Sequence, residues 1–157
     1  MNNSINNLSP LGGRYSNKVS EITKLFSEKA LIQKRFIIEI EWLLFVLNES
    51  SYKTIKISKV DINKIKKFKN NFDDSYARKI KSIENKTNHD VKAVEYFINN
   101  HFKKNNLKKF IPYVHLGLTS EDVNSLAYAL MIREIKDETI ISINILNKQL
   151  KSLATKY

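Results

Sequence analysis

Thr119-Ser120-Glu121-Asp122-Val123-Asn124-Ser125 opens the stretch that decides the fold. Thr119 with Asp122 three residues on resembles a capping box, with Asp standing where Glu is usual. Beyond it, Val123, Leu126, Ala127, Leu130, Ile135, Ile140, Leu146, Leu150 and Leu153 keep an approximately helical beat to the end of the chain. This reads as one helix of more than about 30 residues, or two nearly end to end; helices of that length belong to coiled coils, bundles or membrane spans. The charges along it exclude a span. Its last turns, Leu146 to Leu153, are still apolar on one face and need partners that this chain hardly supplies. The chain therefore reads as truncated, or as half of an oligomeric bundle.

Immediately upstream lie Phe110-Ile111-Pro112, a structural His115, and Gly117, which allows a tight backbone approach. A basic loop, Lys103 to Lys109, comes before them. Further back stands Thr87-Asn88-His89-Asp90-Val91-Lys92-Ala93-Val94-Glu95-Tyr96-Phe97. Val91, Val94, Ile98 and Phe102 recur at helical spacing, and the helix they define ends near Asn105-Asn106. Asn88 or Asp90 suits the N-cap. A titratable His89 between two cap-competent residues is more than a cap requires. The plain alternative is a capped surface helix with an exposed His. His101 reads as a solvated helix residue.

The remaining elements are helical as well. Ser27 caps a helix to Asn48 whose apolar positions, from Leu31 to Leu47, nearly encircle it, with Glu39 and Glu41 at a less buried edge; a helix apolar all round belongs in a core. Asn48 to Lys59 is a polar connection. Asp61 to Phe72 places Ile62, Ile65, Phe68 and Phe72 inward. Asp73 to Asn85, capped by Asp73 or Asp74, does the same with Tyr76, Ile80 and Ile83. Near the start, after a polar and poorly ordered Met1 to Leu8, Ser9-Pro10-Leu11-Gly12-Gly13-Arg14-Tyr15 is a loop by its turn chemistry. Gly12 and Gly13 let backbone approach a ligand or take positive φ, and Arg14 offers a planar fork to phosphate or carboxylate. The alternative is a plain turn with a solvated Arg. No Gly-rich phosphate loop, strand alternation or internal repeat is present. The class is all-α: an N-terminal helical domain, 1–111, leading into the first long helix of a central bundle, 112–157.

Composition narrows the functions. The 157 residues contain no Cys, so disulfides and Cys-based metal sites or nucleophiles are excluded, and three scattered His make zinc a poor fit. The N-terminus lacks the basic cluster and apolar core of a signal peptide, and the longest apolar run, Trp42 to Leu47, is too short to span a bilayer. A cytoplasmic protein is expected. The net charge of +11 suggests polyanions, yet the lysines are interleaved with Asn and Ile along helices and not gathered in an Arg-rich tail. Lys, Asn and Ile share A+T-rich codons, so a biased genome accounts for the charge without nucleic acid as a partner.

Taken together, Ser9 to Tyr15, Thr87 to Phe97 and Thr119 to Asn124 resemble the first three motifs of adenylosuccinate lyase of the bacterial type, within the fumarase and aspartase superfamily. They stand in the family's order and at about its spacing, and the similarity runs from about Leu8 to the chain end. Each motif alone is weak to moderate; jointly they are specific. The Thr-Ser-Glu-Asp-x-Asn form separates this family from argininosuccinate lyases and fumarases.

The resemblance implies an all-helical homotetramer with active sites where three subunits meet, and no cofactor or metal. The reaction it implies is elimination of fumarate from adenylosuccinate to give AMP, and from the succinylcarboxamide ribotide (SAICAR) to give AICAR. Such a substrate carries a phosphate and two carboxylates and reacts through a carbanion. It needs donors aimed at anions, plus an acid and a base. By match to the motifs, Arg14 and Tyr15 would hold the phosphate end. Asn88, His89 and Asp90 would line the pocket, His89 donating to an anionic group and Asp90 fixing its tautomer or a neighbour. Thr119 and Ser120 would hold a succinyl carboxylate with hydroxyls and helix N-terminal amides. The family's general acid, a His in a Thr-His-Gly-Gln-Pro-like motif, and its base, a Ser in a Ser-Ser-x-Met-Pro-x-Lys-x-Asn-like loop, do not occur here; both are expected beyond Tyr157. No catalytic residue is therefore assigned within the chain, which is expected to be inactive alone. Two other classes stay open. One is a non-catalytic helical interaction module; the other is a basic nucleic-acid binder, whose affinity would fall steeply with salt.

Overall fold

The computed structural model describes residues 7–49 and 55–157. The polar start expected at Met1–Leu8 falls outside the described residues at 1–6, as does the connection Asn48–Lys59 at 50–54. The order is α1 (Ser20–Leu25), α2 (Glu28–Asn48), α3 (Lys59–Asn70), α4 (Asp74–Thr87), α5 (Asp90–Lys104), a 3-10 turn (Lys108–Tyr113) and α6 (Ser120–Lys156). No strand occurs among the described residues, so the protein is all-α. The chain forms two compact units, one of 31–130 and one of 1–30 with 131–157.

The larger unit is built on the middle of α2. Phe36, Ile40 and Leu43 are fully buried. They meet Ile65 and Phe68 of α3, Ile80 of α4, and Val94, Ile98 and Phe102 of α5 in one apolar cluster. Aromatic rings dominate its centre: Phe36 lies edge-on to Phe68 at 5.0 Å and to Phe97 at 6.0 Å. A second cluster joins Ile38, Val91, Val123 and Ala127, and so ties α2 and α5 to the first turns of α6.

Local chemistry starts and stops these helices. The Ser27 hydroxyl accepts from Ala30 N–H at 3.3 Å, and Asp73 accepts from Tyr76 N–H at 2.9 Å. α3 begins earlier than its apolar pattern indicates, because Ser58 caps it through Asp61 N–H at 3.0 Å. Glu39 is not at an edge: it is fully buried, facing His115. His101 is not a solvated residue either. Its ring stacks on Phe68 with centroids 3.6 Å apart, and burial holds its pKa below the ordinary value. Helix α1 and the 3-10 turn, which incorporates Pro112, carry no clear periodic signal in sequence.

In the smaller unit, 9–18 is a succession of turns. Gly12 N–H bonds Ser9 O at 3.1 Å, and Tyr15 N–H bonds Pro10 O at 3.0 Å. Gly12 and Gly13 do not take positive φ, and a Cβ at either would meet only ordinary contacts of 3.5 Å or more. The end of α6 belongs to this unit. Its Ile140, Ile141, Ile143, Ile145, Leu146, Leu150 and Leu153 are each about half exposed.

Candidate functional site

The two later motifs meet through a residue that lies in neither. Arg35 is buried in α2. One terminal nitrogen lies 2.6 Å from Asp90 Oδ2, and its Nε–H donates to Asn124 Oδ1 at 2.8 Å. Asn124 Nδ2 donates in turn to Glu121 Oε1 at 2.9 Å. A planar guanidinium can satisfy two acceptors in different directions at once, which an ammonium does less well. The start of α5 and the first turn of α6 are thereby fixed to one face of α2. Sequence reasoning missed Arg35. Its signal was a lone Arg in a helix otherwise apolar on nearly every side, since buried charge requires a partner.

At the start of α5 each motif residue has a separate task. Asn88 sits at φ 52° and ends α4, a left-handed position that Asn tolerates. His89, not Asn88 or Asp90, is the N-cap: its Nδ1 accepts from Lys92 N–H at 3.3 Å. With Nδ1 used as an acceptor, the ring hydrogen of the neutral imidazole sits on Nε2. The side chain is 51% exposed, so His89 presents an N–H donor outward. Asp90 does not set this tautomer, lying 3.8 Å from Nδ1. Its carboxylate accepts from Val91 N–H at 2.8 Å and meets Arg35. Burial pushes the Asp90 pKa up, but the Val91 N–H and the Arg35 charge outweigh it and hold the group below its ordinary range.

The capping box at α6 is complete. Thr119 N–H and Oγ1–H both donate to Asp122 Oδ2 at 2.7 Å, and Asp122 N–H donates to Thr119 Oγ1 at 3.2 Å. Those bonds hold the Asp122 carboxyl below its usual pKa. Thr119 is thus committed to its own helix, whereas the half-buried Ser120 hydroxyl makes no hydrogen bond within the described residues. The approach to α6 is braced twice from α2. Trp42 Nε1–H donates to Leu116 O at 2.8 Å, and Glu39 Oε1 lies 2.6 Å from His115 Nδ1. Burial raises the Glu39 pKa, partly opposed by His115. Gly117 is needed for its φ of 75°, not for close approach, since nothing lies within 4 Å of an added Cβ.

Arg14 and Tyr15 belong to the smaller unit. Both are exposed, with the Arg14 guanidinium carbon 5.6 Å from the Tyr15 ring centre. Among the described residues no cluster of His, Asp and Glu is arranged to hold a metal ion, and no helix is long and apolar enough to cross a membrane.

Comparison with known proteins agrees with the motifs. The chain is 40% identical over 88% of its length to adenylosuccinate lyase of Buchnera aphidicola from Schizaphis graminum, of which it covers 31%. It is 44% identical over 83% of its length to the Legionella pneumophila (strain Corby) adenylosuccinate lyase, covering 29%, and 36% identical over 88% to that of Escherichia coli K12, covering 31%. The chain thus spans about a third of the length of these relatives. Residues 13–157 match the lyase family throughout, and the chain belongs to that family.

Proposed function

We propose that this chain is the N-terminal portion of an adenylosuccinate lyase. The enzyme would eliminate fumarate from adenylosuccinate to give AMP, and from SAICAR to give AICAR, in purine nucleotide synthesis. The observation that carries this reading is the Arg35 bridge, which brings the Asn88-His89-Asp90 and Thr119–Asn124 motifs onto one face of α2. The names of the relatives support it.

In this reading His89 Nε2–H and the Ser120 hydroxyl, the donors left uncommitted, bind anionic groups of the substrate. Asp90 acts through Arg35, and Asn88 shapes the turn that presents His89. Thr119 sets the N-terminus of α6, whose amides favour a carboxylate. Arg14 and Tyr15 take the phosphate. The general acid and base come from polypeptide outside this chain. The region 1–111 serves as the N-terminal domain, and 112–157 begins a bundle shared by four subunits in the cytoplasm. No cofactor, metal, nucleic acid or membrane enters the scheme.

The test is loss of adenylosuccinate absorbance with this polypeptide alone and mixed with a C-terminal segment of the Escherichia coli enzyme. Activity is expected only in the mixture. A folded chain that forms a complex with the segment yet yields no activity would overturn the lyase reading. The exposed apolar face at the end of α6 favours a second reading, a non-catalytic helical module that docks to a partner helix.

A further inference from the structure

In the larger unit, away from the Arg35 bridge, α3, α4 and α5 line two adjoining open hollows of about 420 and 450 Å³ that share Tyr76, His101 and Lys104. Lys79 lines the first, and Lys64 and Lys67 line the second. No carboxylate lines either one. Some other lysines of the unit are paired. Lys69 pairs with Glu41, Lys81 with Glu84 at 2.8 Å, Lys92 with Glu95 at 2.7 Å, and Lys109 with Asp61 at 3.0 Å. Among the described residues no salt bridge holds Lys64, Lys67, Lys79 or Lys104. Lys66, Lys103 and Lys108, outside the lining, also lack a salt bridge among the described residues, so what marks the cleft is what it gathers: four such lysines and no carboxylate, with Lys64 near enough to Asp61 to lower its pKa and the Lys79 ammonium 5.9 Å from the Tyr76 ring centre.

A helix-end explanation accounts for part of this. Lys67 and Lys104 lie in the last turns of α3 and α5, where cations offset the helix dipole. Each helix end supplies only about half a negative charge, against four ammonium groups around the cleft. Lys64 and Lys79 are not in last turns. Of the two carboxylates just before Tyr76, Asp73 is bonded to Tyr76 N–H and Asp74 lies 3.7 Å from an Arg78 terminal nitrogen. The floor is aromatic: His101 lies flat on Phe68, and Phe97 lines the first hollow beside Tyr76.

We propose that the α3–α4–α5 cleft binds a small molecule bearing two or more phosphate groups, one end in each hollow, with Lys104 and His101 at the junction. Two or more phosphates would set negative charge beside Lys79 on one side and Lys64 and Lys67 on the other, with Lys104 between them. The concave shape favours a small molecule over a duplex. The site is separate from the residues given roles in the lyase reaction, so it stands or falls independently of that reading.

The experiment is calorimetric titration of the full chain with inorganic tripolyphosphate at about 0.1 M salt, where diffuse surface attraction is largely screened. Saturable binding is expected. Lys79→Gln with Lys104→Gln should weaken it about tenfold or more, since hydrogen bonds to charged groups are each worth about that factor. Lys148→Gln with Lys151→Gln, exposed on α6, should change it less than about twofold, as surface charges do at this salt. Binding of ATP above tripolyphosphate would assign a nucleotide, and equal binding the phosphate chain alone; both support the site. No saturation at millimolar tripolyphosphate, equal loss in both double variants, or tighter binding of duplex DNA through the same lysines would overturn it.

Discussion

His89 does two jobs that substitutions can separate. As the N-cap of α5 it satisfies Lys92 N–H, so His89→Ala should cost about 0.5 to 2 kcal/mol in stability. His89→Asn should restore the cap. If the outward Nε2–H binds substrate, activity in the complemented enzyme stays low in both variants while stability returns in the second. Recovery of activity with Asn would reduce His89 to its cap. Arg35 differs: removing it strips the partner from Asp90 and Asn124 together, and Arg35→Met should cost about 2 to 3 kcal/mol by chemical denaturation. Arg35→Lys should recover only part, since an ammonium lacks the fork. Asp61, with Asp90 and Asp122, supplies the pH dependence, since all three carboxyls are held below the ordinary range. The Lys109 bond holds Asp61 below its ordinary pKa, so the unfolded chain takes up that proton first as pH falls. The stabilisation is present above the ordinary carboxylate value and is lost as pH drops through the folded one. Asp61→Asn should flatten the decline in stability below about pH 4, measured by denaturant titration; an unchanged slope would remove Asp61 as one of its sources.

The helices follow from short patterns of different legibility. Ser27, the Asp73-Asp74 pair and the Thr119–Asp122 box each mark a helix start, because a side-chain acceptor two or three residues before an apolar run has few other uses; the structure chooses Asp73 of the pair. Phe36 was legible as core from the apolar girdle of α2, and Phe36→Ala should cost about 3 to 5 kcal/mol. Three features were illegible for a common reason: each depends on a partner distant in sequence. Glu39 becomes a core residue only because the turn before α6 brings His115 to it. His101 is drawn partly out of solvent because Phe68 lies beneath its ring. Arg35 joins two motifs that the sequence presents as separate. The tripeptide at Asn88 misled differently. Two cap-competent residues flanking His89 left the cap ambiguous, and backbone geometry gave it to neither: Asn88 ends α4 and His89 caps α5.

For the whole molecule, the end of α6 states a requirement. Seven large aliphatic side chains half exposed along one helix end are more than a lone monomer usually shows. Sedimentation should find the chain associating with itself, and Leu146→Asp with Leu150→Asp should disperse it without loss of helix. A wild-type chain that sediments as a monomer at tens of micromolar would count against a shared bundle. The indole of Trp42 has a further consequence. It is the single tryptophan of the chain, it stacks on Phe45 at 5.3 Å, and its N–H is tied to Leu116 O, just ahead of α6. The protein thus carries its own optical gauge at the contact between α2 and the turn before α6: intrinsic emission will shift when that turn lets go, reporting on the start of the long helix without any added label.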